Sequence, residues 1–120
     1  MLEESHSPFN IPMLTVRKQD GSVRLALDAR QLNTISKMDR FPLPNLANLM
    51  DQVGRKAKQG PEFYMSTMDF SRAYHQVQLH EPDRDKCSFS ALGKHCRPKR
   101  VCYGLASAPS GYTRIMSKIF

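Results

Sequence analysis

No apolar run in this sequence approaches the roughly 20 residues that carry a helix across a bilayer, so no membrane-spanning segment is expected. The opening Met-Leu-Glu-Glu-Ser-His is acidic where a secretory signal peptide is basic. Cysteine is scarce and odd in number. Cys87, Cys96 and Cys102 contain no CxxC pair, which argues against a disulfide framework and a common zinc knuckle. His95, Cys96 and Cys102 would offer a structural zinc three ligands where it takes four. The expectation is a reducing, intracellular setting, cytoplasmic or nuclear, with no targeting signal. Acids are also in the minority: 11 Asp and Glu against 18 Lys and Arg leave a net charge of +7 and a pI near 9.6. Basic groups displace counterions from phosphates, so this balance suits a polyanion without choosing among nucleic acids, nucleotides and acidic membranes. Internal repeats and low-complexity tracts are absent. What is present, 120 residues at 40% hydrophobic, suffices for one domain with a core and falls short of two.

Two strand-like runs, Ile11 to Val16 and Val23 to Leu27, flank Asp20-Gly21-Ser22 and predict a β-hairpin with a basic rim. Leu46, Leu49, Met50 and Val53 recur at helical spacing after Pro44-Asn45, which predicts a short amphipathic helix that Gly54 stops and whose apolar face is core. Arg55 to Glu62 is basic and rich in breakers, the pattern of an exposed loop. Phe63 to Asp69 reads as a strand, and Gln76-Val77-Gln78-Leu79 alternates as a half-buried strand does. Glu81 to Lys86 reads as a charged turn. A short strand is expected around Cys87 to Ser90, then a basic hairpin region from Lys94 to Arg100. Tyr112, Ile115, Met116 and Ile119 mark a last helix, opened by Ser107 or Ala108 with Pro109 in its first turn. The fold class is α+β.

Three blocks carry chemistry. Asp69-Phe70-Ser71-Arg72-Ala73-Tyr74-His75-Gln76 closes a hydrophobic strand with a carboxylate and follows it with an aromatic ring. At a sheet rim such a carboxylate can meet a hard cation and phosphate oxygens, although an aspartate capping its own turn has the same local sequence. Lys18 and Arg24 flank the hairpin turn and could grip phosphate together, or be the solvated bases that edge strands often carry. Tyr103-Gly104-Leu105-Ala106-Ser107-Ala108-Pro109 supplies another ring beside a glycine that permits close backbone approach.

Together these blocks resemble the reverse transcriptase of LTR retrotransposons, most closely of gypsy-type elements. The resemblance runs from about Ser7 to Phe120 and stops before that family's Tyr-X-Asp-Asp motif. It implies a truncated right-hand polymerase: about residues 7–62 mainly fingers, and about 63–120 fingers and partial palm with the first catalytic aspartate block. The implied function is metal-dependent transfer of deoxynucleotides to a primer 3′-hydroxyl, with this fragment inactive alone. Asp69 would be catalytic and would bind Mg2+ with the Phe70 backbone carbonyl, the complete enzyme using two ions, alternatively Mn2+. Lys18, Arg24, Tyr74, Tyr103 and Gly104 would bind the nucleotide, with Tyr74 excluding a 2′-hydroxyl sterically. Arg30 and Asn33, in a block where Ala29 replaces the family's aromatic residue, and Lys94, Arg97, Lys99 and Arg100 would face nucleic acid. His75 receives no catalytic role. The implied partners are an RNA or DNA template-primer and deoxynucleoside triphosphates, with no membrane. RNase H, integrase and protease regions of a polyprotein would accompany it.

The resemblance weakens at His95-Cys96-Arg97-Pro98-Lys99-Arg100, which replaces an apolar strand of the family. A proline and several bases are expected to make a poor central strand. That departure keeps open an alternative, a non-catalytic nucleic-acid-binding retrotransposon remnant whose binding depends on this basic segment and not on Asp69.

Overall fold

The computed structural model describes residues 1–60 and 62–120; the loop expected from Arg55 to Glu62 includes Pro61, which lies outside the described residues. Among the described residues, eight helices and strands follow in order: β1 (Leu2–Glu4), β2 (Met13–Arg17), β3 (Val23–Leu27), α1 (Arg30–Ile35), α2 (Leu46–Ala57), β4 (Phe89–Ala91), β5 (Lys94–Pro98) and α3 (Ala108–Ile119). Short 3-10 turns at Ala73–Gln76 and Glu81–Cys87 lie between α2 and β4. The α+β class is borne out.

The expected hairpin β2–β3 forms, with Val16 opposite Arg24. Its turn closes through Lys18 N–H donating to the Ser22 carbonyl at 2.8 Å, while the Asp20 carboxylate accepts from the Ser22 amide and hydroxyl. Gly21 takes φ +79° there. The second sheet has the order β1-β5-β4, all antiparallel. Here the reading of Lys94–Pro98 needs correction, because it is the central strand. Proline is tolerated because Pro98 is its last residue and is fully buried. The bases are tolerated because β1, unforeseen from the sequence, lays Glu3 opposite Arg97 and Glu4 opposite Cys96.

Leu27, Ala29, Cys87 and Phe89 form the buried core, with Met13, Leu32, Cys96, Cys102 and Leu105 among the partly buried residues packed on it. Burial pushes the Cys87 and Cys102 thiols up to about 11. Backbone bonds stitch the hairpin to its surroundings: Ile11 N–H to the Ser88 carbonyl at 2.7 Å and Leu27 N–H to the Tyr103 carbonyl at 2.9 Å.

Helix α2 starts where expected, capped by the Asn45 side chain, which accepts from the Ala47 and Asn48 amides. It runs past Gly54 to Ala57, since Arg55, Lys56 and Ala57 are good helix formers and the two cations favour the C-terminal end of the dipole. Its apolar face is exposed rather than core. Phe63 to Asp69 forms no strand, because no described strand lies beside it to complete a ladder. Val77 and Leu79 are half-buried as their alternation predicts, but the segment makes only an isolated bridge, Gln78 to Arg100. Helix α3 begins at Ala108 with Pro109 in its first turn, as expected. No helix among the described residues is long and apolar enough to cross a membrane.

Candidate functional site

Three separate segments converge beside the hairpin. From β3, the Arg24 guanidinium lies over the Tyr103 ring, 4.8 Å from its centroid. From the turn after Asp69, Tyr74 meets Tyr103 edge-on at 5.4 Å, and Tyr112 of α3 at 5.9 Å. From the loop before α3, the Gly104 backbone packs on Leu27 so closely that a Cβ would sit 2.0 Å from the Leu27 carbonyl oxygen. A cation over a ring face is attracted by the ring quadrupole, and edge-on pairs use the same charge distribution. Arg24, Tyr74, Tyr103 and Gly104 are thus brought together, while Lys18 remains at the exposed hairpin turn.

The turn that delivers Tyr74 bends sharply, with Arg72 in the left-handed region at φ +51°. A non-glycine residue there is strained, and such strain gathers at functional sites. The Gln76 side chain donates to the Ser71 carbonyl at 2.9 Å and closes the turn. His75, to which the sequence assigned no catalytic role, abuts Tyr103 at 5.2 Å and places its Nδ1 2.9 Å from the Val101 carbonyl, fixing one side of that ring. Phe70 packs edge-on against Tyr112 and Phe120. Beneath Tyr74 lies a cavity of about 170 Å3, lined by residues that include Val77, Leu105 and Tyr112, smaller than the about 300 Å3 at which ligand sites begin.

Asp69 is exposed at the start of this turn. Its carboxylate and the Phe70 carbonyl are the hard oxygen donors that Mg2+ prefers. No group of three His, Cys, Asp or Glu side chains suited to a metal gathers among the described residues. The donors present therefore fit one edge of a magnesium shell and not a complete site.

The residues read as facing nucleic acid are engaged within the chain. Arg30 forms a bidentate pair with Asp28, both contacts at 2.7 Å. Asn33 spends both ends of its amide on the site loop, donating to the Gly104 carbonyl and accepting from the Ala106 amide at 2.9 Å each. Glu3 gathers Arg97 at 2.8 Å, Lys99 at 3.2 Å and Arg84 at 3.5 Å, and Arg97 also holds Asp85 at 2.9 Å. The Lys99 hydrogen bond, with the charges of Arg97 and Arg84, keeps the Glu3 carboxyl below its ordinary value despite some desolvation. Lys94 lies 3.9 Å from Glu4, and Arg100 donates to the Gln76 carbonyl at 2.8 Å. The basic segment thus serves first to hold β1 and the Tyr74 turn. The Glu3 hub and the contributions of His75 and Tyr112 escaped sequence reasoning. An acidic Glu3-Glu4 pair ahead of an unusually basic strand was the one signal of the hub.

This arrangement can be compared with known proteins. The family model described as reverse transcriptase (RNA-dependent DNA polymerase) matches residues 16–120. The Pol polyprotein of transposon 412 from Drosophila melanogaster is 36% identical over 126 residues, covering 100% of this chain and 10% of the relative. That of transposon gypsy from the same organism is 33% identical, covering 99% and 12%. The chain spans about a tenth of the length of these curated relatives. Among solved structures, the foamy viral protease-reverse transcriptase dRH in complex with ds DNA superposes with a TM-score of 0.80 at 22% identity, covering 98% of this chain and 20% of that one. The same viral enzyme in complex with RNA/DNA hybrid superposes at 0.77. A family match that takes in β3, the Asp69–Tyr74 turn and the Tyr103 loop covers every segment of the converging site, and the chain belongs to the reverse transcriptase (RNA-dependent DNA polymerase) family.

Proposed function

We propose that the chain forms the fingers, about residues 7–62, and the first part of the palm, about 63–120, of an RNA-directed DNA polymerase that extends a primer on an RNA or DNA template. The observation that carries this reading is the convergence of Arg24, Tyr74 and Tyr103 from three segments, one of them the turn that follows Asp69. Arg24 would swing from the Tyr103 face to the triphosphate and balance its charge, with Lys18 joining it from the hairpin turn. Tyr74, braced by Tyr112, would lie under the incoming sugar and leave no room for a 2′-hydroxyl. The Gly104 backbone and the Tyr103 ring would floor the pocket.

Asp69 and the Phe70 carbonyl would contribute to holding Mg2+, or Mn2+ in its place. When bound, the ion pair of the complete enzyme supplies activation of the primer hydroxyl and neutralisation of phosphate charge. The chain by itself is proposed to be inactive in primer extension, since Asp69 is not joined by further metal-ligating side chains among the described residues. The relatives are polyproteins, which supports neighbouring protease, RNase H and integrase regions as partners.

Photo-crosslinking of an iodinated deoxyuridine triphosphate to the purified chain tests the site. Label is expected at Tyr74 or Tyr103. Arg24→Ala should weaken half-saturation about 10- to 150-fold, the loss of one charge-assisted contact of about 1.5–3 kcal/mol. Equal labelling of variant and parent would remove Arg24 from the site.

A further inference from the structure

The cations at Lys94, Arg97, Lys99 and Arg100 are turned onto partners of the chain itself, but those at the end of α2 are not. Arg55 and Lys56 lie in the last turn of α2 and Lys58 follows it. All three are exposed, and none shares an ion pair among the described residues. Arg55 and Lys56 line a groove of about 410 Å3 whose other wall is Phe63 and Met65. Gln52 and Gln59 complete its polar rim and Val53 its apolar lining. The spacing of Gln52 and Lys56 puts them on one face of α2, and Gln59 follows just past the helix end, its amide donating to the Lys56 carbonyl at 3.1 Å. The nearby acids, Asp51 on α2 and Glu62 before Phe63, are not among the lining residues.

These groups specify a ligand chemistry. A flat apolar ring that leaves 42% of its surface exposed can stack on a base. Two unneutralised cations beside it suit the flanking phosphates, and two carboxamides suit base edges. The volume lies in the about 300–1,000 Å3 range of small-ligand sites, enough for one nucleotide. A duplex hides its base faces, whereas a single strand presents them. The geometry points to a single-stranded nucleic-acid contact in the groove between the end of α2 and Phe63, distinct from the Arg24–Tyr103 site. It rests on the polymerase reading only for the class of partner.

Fluorescence anisotropy of a labelled single-stranded oligothymidine, titrated with the full purified chain at low salt, tests it. The double variant Arg55→Glu, Lys56→Glu is expected to bind more than tenfold more weakly and to flatten the log K against log salt slope by about 1.4, two phosphate contacts at about 0.7 each. Phe63→Ala should weaken binding about tenfold and Phe63→Tyr should preserve it, because the ring and not its packing makes the contact. Lys94→Glu, placed on the internally paired strand, should change binding little. The inference is overturned if the parent binds no strand at low salt, or if Lys94→Glu weakens binding while the α2 and Phe63 variants do not. Nucleotide cross-linking at Tyr74 and Tyr103 is scored on the same variants. Cross-linking that persists while strand binding is lost from the parent sinks this inference alone, and the reverse outcome sinks the nucleotide site alone.

Discussion

Gly104 shows how much of the candidate site rests on a single backbone position. Its φ of +106° is one that side-chain-bearing residues rarely adopt, and its Cα faces the Leu27 carbonyl so closely that a methyl group has no room. Around it, the Tyr103 carbonyl accepts from Leu27 N–H and the Gly104 carbonyl from the Asn33 amide, so the loop cannot slide without breaking bonds to β3 and α1. Gly104→Ala therefore meets two costs, about 1–3 kcal/mol of backbone strain and the displacement of Tyr103 from beneath Arg24. The expected outcome is a lowered thermal midpoint together with loss of nucleotide cross-linking at Tyr103. A variant with the parental midpoint would mean that this loop does not pack on β3 as described. Asn33→Ala removes the clamp without the clash, and comparing the two separates loop anchoring from steric exclusion.

At the scale of elements, the β4–β5 hairpin is the weakest local fit between residue and conformation. Its two turn residues, Leu92 and Gly93, both take positive φ, +52° and +73°. A two-residue turn with positive φ at both positions favours Asn-Gly, and Leu92 gains nothing from burial because it is fully exposed. Leu92→Asn is expected to stabilise the chain by about 1 kcal/mol, relief of the left-handed penalty on a bulky residue, and to raise the melting midpoint by several degrees. An unchanged midpoint would place the limiting event of unfolding outside this hairpin. The contrast with β2–β3 explains what could be read in advance. There Asp20-Gly21 announced its own turn, as Pro109 and the spacing of Tyr112, Ile115, Met116 and Ile119 announced α3. Elements that depend on distant partners were illegible. Whether Lys94–Pro98 can be a central strand depends on Glu3 and Glu4 lying beside it, and whether Phe63–Asp69 is a strand depends on a neighbour that the described residues do not supply. The same division runs through the site. Arg24, Tyr74, Tyr103 and Gly104 were legible because each sits in a local motif, whereas the service of Asn33 to the loop and of His75 to Tyr103 exists only once the chain is folded.

The whole molecule is more open than its length requires. Its accessible surface is 9689 Å2, where a compact monomer of 13.7 kDa exposes about 6,600 Å2, and its radius of gyration is 18.3 Å against about 14 Å for a compact domain of this size. Exposed apolar side chains run along the whole chain, and among them the segment leading to Asp69 stands out: Tyr64 is 86% exposed, Met65 68% and Met68 72%. A small core centred on Leu27, Ala29, Cys87 and Phe89 must hold this surface in place. The isolated chain is therefore expected to melt over a broad range and to self-associate as its concentration rises. The two effects have different origins and can be separated at Met68. Because that side chain packs little in the folded chain, Met68→Lys should shift stability by less than about 0.5 kcal/mol while removing apolar surface and adding repulsion between copies. Sedimentation velocity across a concentration series should then show less association than in the parent at an unchanged melting midpoint. If Met68→Lys instead lowers the midpoint of a monomeric sample, Met68 is covered within the single chain in solution and the apolar segment leading to Asp69 is packed there.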